Sequence, residues 1–190
     1  MQYKTLMIKG AILGKNQLED YLEKVASSHN LQNFSDKETY PIPRLKENFE
    51  LITQTYNLLN EHAKLKIPIH SAGEWILDNY YVIDEAVKNI KLELPKHKYT
   101  KFLGLANGNY AGFAWVYIFA REIVNYTDNK IDGKNLSDYI QAYQKKKTLS
   151  MEEIWSIGIF MEIALIENIR QICEKIYVSQ LQKYKVENII

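Results

Sequence analysis

The chain has one cysteine in 190 residues, Cys173, which excludes an internal disulfide and fits a reducing compartment. Cys173 lies in a helix-patterned stretch, where a buried and unreactive thiol is expected. An excess of either charge is also missing. The 24 Lys and Arg against 23 Asp and Glu leave a formal charge of +1, with no global pull toward nucleic acid or acidic membranes. Arginine is scarce: Arg44, Arg121 and Arg170 alone offer a planar fork for phosphate, so nucleic acid is set aside as a partner. Long apolar runs are absent too. The stretch from Ile154 to Ile166 is interrupted by Ser156, Gly158 and Glu162 and falls short of the roughly 20 residues that span a bilayer. The opening MQYKTLMIKGAILG is broken by Lys4 and Lys9 and lacks the apolar centre of a secretory signal. These absences predict a soluble, cytoplasmic chain with no transmembrane segment.

What is present is globular in balance, 46% apolar and 25% charged, and patterned for helices. Asn16 with Glu19 predicts the start of a first helix, whose buried face is Leu18, Tyr21, Leu22 and Val25. Asn30 to Pro43 reads as a surface loop. Pro43 suits the first turn of a second helix with Leu45, Phe49, Ile52, Tyr56 and Leu59 inward. Ser71 and Glu74 form an S-x-x-E capping signature for a third helix that Pro95 closes. Leu103 to Gly112 is a glycine- and asparagine-rich turn, followed by an apolar fourth helix from Phe113 to Tyr126. A fifth helix is expected from Leu136 to Lys147. A second capping signature, Ser150 with Glu153, opens a long last helix whose first half is apolar on nearly every side, as in a helix central to a bundle. No segment alternates long enough for a half-buried strand. The expectation is an all-α, single-domain bundle of about six helices over 1–190, with a largely buried C-terminal helix.

Candidate chemistry is sparse. Glu74 and Asp78 are four apart, so both carboxylates share a helical face that continues through Tyr81 and Glu85. Paired carboxylates beside aromatics are what glycoside hydrolysis uses, with Trp or Tyr stacking on sugar rings. The plainer reading makes Glu74 the acid of a helix start, where negative charge is favoured. His62 and His70 bracket a loop without metal-site spacing, and His29 and His97 fall in loops or helix ends, so no metal centre is predicted. Leu105 to Gly108 lacks the preceding strand and following Lys of a phosphate loop and reads as a structural turn. Trp75, Trp115 and Trp155 all sit in helical patterns that predict core packing. Glu167 and Arg170 are expected to pair and fix helix register. Lys145, Lys146 and Lys147 end a helix and complement its dipole. No nucleophile–base set or nucleotide fingerprint emerges, so no catalytic residue is assigned.

Several blocks nevertheless share their order and wording with a family. PRLKENFELI (Pro43–Ile52), IHSAGEWILDNYYVIDE (Ile69–Glu85), ELP (Glu93–Pro95), LANG (Leu105–Gly108) and YAGFAWVY (Tyr110–Tyr117) are among them. YTDNKID (Tyr126–Asp132), AYQ (Ala142–Gln144), LSMEEIW (Leu149–Trp155) and ALIENIR (Ala164–Arg170) follow. Together they resemble the amino-terminal region of cyclic β-1,2-glucan synthases. The resemblance implies membership in a large, membrane-associated, multidomain protein that polymerises glucose from UDP-glucose in a transferase module of family 84, releases a ring, and carries a phosphorylase-like module of family 94. It implies an accessory role for this stretch, with the other modules of the same polypeptide as partners and no cofactor of its own; the last helix carries no stop signal and is expected to continue past Ile189 and Ile190. A glucan-binding role is the alternative, with Glu74, Trp75, Asp78, Tyr80, Tyr81 and Asn107 toward the sugar. A hydrolase using Glu74 and Asp78 is a third reading. One departure is Ala114-Trp115 where many relatives have Pro-Arg, an arginine that would meet a carboxylate such as Glu74 or Asp78.

Overall fold

The computed structural model describes residues 11–33 and 39–187, and Ile189 and Ile190, with the expected continuation of the last helix, lie outside them. The fold is an all-α bundle with a long C-terminal helix. Among the described residues seven helices form: α1 (Lys15–Ser28), α2 (Ile42–Lys64), α3 (Ser71–Glu93), α4 (Lys96–Tyr99), α5 (Trp115–Tyr126), α6 (Gly133–Gln144) and α7 (Met151–Glu187). The extra helix is the single turn α4, too short for periodicity to reveal. Two strands were also unforeseen. β1 (Leu31–Gln32) pairs antiparallel with β2 (Gly104–Leu105), Leu31 opposite Leu105. Two residues cannot show an alternating pattern, and the ladder exists because the chain returns to the same place more than 70 residues later.

Local chemistry explains most helix ends. Pro43 stands in the first turn of α2, where its missing N–H costs nothing. The Ser150–Glu153 box forms in full: the Glu153 N–H donates to Ser150 Oγ at 3.2 Å, and the Ser150 N–H to Glu153 Oε2 at 2.8 Å. Asp132, not singled out from the sequence, caps α6 by accepting from the Asn135 N–H at 2.8 Å. It starts that helix three residues before the expected Leu136. Two expected caps are corrected. Gly14 rather than Asn16 precedes α1, and Gln17, not Glu19, reaches back, accepting from the Gly14 N–H at 3.0 Å. Ser71 is already inside α3; the cap position is His70, which makes no side-chain capping bond, so the Ser71–Glu74 box is not built.

The backbone gathers into two compact units, one holding α1 and β1 with Lys96–Met161, the other Tyr40–Pro95 with the chain from Glu162 onward. In the first unit α1 packs on α6, and α5 is buried at Trp115, Val116, Tyr117, Ile118, Phe119, Ala120, Arg121, Ile123 and Val124. Its core is aromatic. Tyr117 and Phe102 each lie 5.5 Å from the Phe160 ring, and Trp115 stacks on Tyr143 at 4.7 Å. In the second unit α2 packs on α3, and Leu45, Ile52 and Leu59 of α2, Ile76, Ile83, Val87 and Ile90 of α3, and Ile163, Ile166 and Cys173 of α7 are all buried. Burying side chains of this size contributes about 1.5–3 kcal/mol each before chain entropy is counted.

Candidate functional site

Aromatic side chains gather on one side of the second unit, where α2 and α3 run together. Phe49 and Tyr56 are seven apart on α2, so they point the same way two turns apart. Tyr80 of α3 lies against both, stacked on Tyr56 at 4.0 Å and 16° and on Phe49 at 5.9 Å and 15°. The Tyr80 hydroxyl is 3.0 Å from Thr53 Oγ1, which is bonded in turn to the Phe49 carbonyl. Tyr81 presents its edge to Tyr80 at 6.0 Å and 72°. The neighbouring Tyr56 hydroxyl is the main cause that holds the Tyr81 phenol above its ordinary range. The Lys91 ammonium lies 6.0 Å over the Phe49 ring. The result is a ladder of rings whose last member, Tyr81, is 72% exposed.

Phe49 and Tyr56 were assigned from periodicity to the buried face of α2, and both are only half-buried. The sequence feature that accompanies their joint contact with Tyr80 is the seven-residue spacing of two aromatics on either side of a threonine. Its meaning depended on the register between α2 and α3, which no local pattern specifies.

Glu74, Asp78 and Glu85 are exposed along the same strip of α3 as Tyr81. Glu74 and Asp78 are both open to water. Trp75 is 49% exposed rather than in the core, and with Val82 it forms the neighbouring strip of the helix. Asn107 belongs to the other unit, on an exposed turn whose glycines Gly108 and Gly112 have φ of +83° and +85°. In that turn the Leu105 N–H donates to the Phe113 carbonyl and the Ala106 N–H to that of Asn30, which fits the structural-turn reading.

Three further expectations change partners. Trp155 is 73% exposed, whereas Trp115 is buried and donates its indole N–H to Glu153 at 2.6 Å. The carboxylate beside position 115 is therefore Glu153, not Glu74 or Asp78. Glu167 is bonded to Arg44 of α2, and Arg170 donates to Glu174 one turn along its own helix at 2.8 Å. The expected Glu167–Arg170 pairing gives way because a charge buried on a packed helix is drawn to a cation on the helix facing it. His62 is buried, with Nδ1 hydrogen-bonded to Gln180 Oε1 at 3.0 Å, while His70 is exposed at the position just before α3 and makes no side-chain capping bond. Cys173 is buried, and burial pushes its thiol up to about 11, which leaves little thiolate at neutral pH.

A polar depression of about 310 Å³ lies on the first unit between α1 and α6. The Lys15–Asp138 ion pair lines it, together with Asn16, Glu19, Gln141 and Lys145. No helix among the described residues is long and apolar enough to cross a membrane.

No family model matches the chain. Its sequence is 24% identical over 151 residues to the cyclic beta-(1,2)-glucan synthase NdvB of Rhizobium meliloti (strain 1021), a match that covers 77% of this chain but only 5% of that protein. The likeness read from the sequence blocks thus has a counterpart in a characterised protein, and the chain is related to one short region of that synthase.

Proposed function

We propose that the chain is a non-catalytic helical accessory segment, from the amino-terminal part of a glucan-synthase-like polypeptide, that packs against the other modules of that polypeptide. In this reading the parent protein builds glucan from UDP-glucose, and this cytoplasmic segment needs no cofactor of its own. The observation that carries it is the placement of large apolar side chains in water. Trp75, Val82 and Leu92 on α3 are 49%, 65% and 78% exposed, and Met151 and Trp155 at the start of α7 are 59% and 73% exposed. Exposed aromatics of this size are the anchors that protein interfaces bury. A polypeptide of which this stretch matches one-twentieth has ample chain to cover them.

Incubating the 190-residue chain with UDP-glucose tests the non-catalytic part. No glucosyl transfer is expected, and steady transfer by the chain alone would refute it. The docking part is tested in the whole polypeptide by Trp75→Ser with Trp155→Ser. Loss of glucan output with the isolated chain still folded is expected; unchanged output would end the docking reading.

A further inference from the structure

We infer that the turn Asn107–Tyr110 and the Arg121 guanidinium behind it form an oxyanion site that takes a phosphate group. Arg121 lies on α5 and is only 4% exposed, and its Nη1 is buried with no hydrogen-bond acceptor among the described residues. A cation taken out of water is costly unless it is paired and hydrogen-bonded. Its sequence neighbour Glu122 does not pair with it. That carboxylate accepts from the Tyr21 hydroxyl at 2.9 Å, and among the described residues it forms no ion pair with Arg121. What meets the guanidinium is the Tyr110 ring, with the guanidinium carbon 5.4 Å from the ring centroid. A ring face answers the charge but leaves in-plane N–H donors unmatched.

Tyr110 belongs to a turn that supplies donors of its own. The Leu105, Ala106, Ala111 and Gly112 N–H groups on either side are bonded to backbone carbonyls at 2.8–3.2 Å. The four N–H groups between them, on Asn107, Gly108, Asn109 and Tyr110, have no hydrogen-bond acceptor among the described residues. Gly108 has φ +83°, and a Cβ there would meet nothing within 4 Å, so glycine serves the course of the backbone and not close packing. A left-handed residue in a run of free N–H groups lets successive donors converge, which is how loops hold anions. Asn107, Gly108 and Asn109 are exposed and Tyr110 is half-buried, so an anion meets the turn from water and reaches Arg121 past the Tyr110 ring. Phosphate suits this arrangement better than carboxylate, because it has oxygens enough to take backbone donors and a guanidinium together. None of these residues belongs to the exposed strips assigned to docking, so the site stands or falls independently of that reading.

The test is a titration of the isotopically labelled 190-residue chain with sodium phosphate and, in parallel, with sodium acetate, at constant ionic strength. Backbone amides and the Arg121 Nε–H are followed by NMR. Saturable shifts confined to residues 105–113 and the Arg121 side chain are expected with phosphate, and weaker binding with acetate. Arg121→Met, which replaces the buried cation by an apolar chain, is expected to weaken phosphate binding at least about tenfold. Gly108→Ala, on the exposed turn, is expected to weaken it with the bundle still folded, and Lys145→Met, which removes a surface cation paired with Glu23, to leave it unchanged. No saturable shift with phosphate, or shifts that persist in either site variant, would overturn the site; should Arg121→Met not fold, Gly108→Ala decides. Acetate binding as tightly as phosphate would overturn the assignment to phosphate.

Discussion

At the scale of single residues, His29 couples the first unit to pH. Its Nδ1 lies 3.0 Å from the Tyr143 hydroxyl, and burial, helped by the nearby Lys147 charge, pulls its pKa from 6.5 to about 4. Between those values the unfolded chain binds a proton that the folded chain refuses. The stability His29 contributes is therefore complete above about pH 6.5 and lost as pH falls toward 4. Glu122 acts in the opposite sense. Burial is the first cause that raises its carboxyl, against the Tyr21 hydroxyl and Arg121, so its burial is better tolerated as pH falls. Urea midpoints at pH 7 and 4.5 should show wild type losing on the order of 1–2 kcal/mol more than His29→Gln, after allowance for screening of the part-exposed ring. Parallel behaviour of the two proteins would remove His29 from the account. The sequence places His29 in a loop or at a helix end, and it stands just after α1, but nothing local signals its coupling to Tyr143, which lies 114 positions away.

At the scale of elements, two capping signatures that read alike have different fates, and mutation should separate them. Ser150→Ala removes a built box and should cost about 1 kcal/mol; Ser71→Ala, at a position with no cap to lose, should stay within about 0.5 kcal/mol. Equal losses in chemical denaturation would contradict the assignment of Ser71 to the helix interior. Glycines give a second contrast. A Cβ at Gly73 would come within 2.7 Å of Ile69 Cγ2 and 3.1 Å of Leu59 Cδ2, so Gly73→Ala should destabilise by about 1–3 kcal/mol. At Gly158, inside α7, nothing lies within 4 Å, and Gly158→Ala should stabilise by about 0.5–1 kcal/mol through helix propensity. Melting midpoints moving in opposite directions would confirm that α3 approaches its neighbours at Gly73. A gain at both would show that α3 stands further off. Helix existence was legible at this scale because apolar period and proline position are local; the built cap was not distinguishable from the unbuilt one, because the difference lies in where the preceding residue sends the chain.

At the scale of the whole molecule, the three tryptophans show how burial is decided. Trp115→Ala should cost about 3–5 kcal/mol, since it opens a cavity beside Tyr143 and takes a donor from Glu153. Trp75→Ala and Trp155→Ala should each stay within about 0.5 kcal/mol, a difference readable in urea midpoints. A large loss at either exposed position would mean that its ring is covered in solution by part of the chain itself. The amino-acid sequence by itself determined the all-helical class, the approximate span of each long helix, and the likeness to a glucan-synthase region, because period, proline and word order are properties of neighbouring residues. Only the tertiary structure decided that Glu167 meets Arg44, that Glu153 meets Trp115, and that Phe49, Tyr56, Tyr80 and Tyr81 form one ladder. Those contacts join residues separated by as many as 123 positions, and which helix face meets which is set by packing the whole core at once.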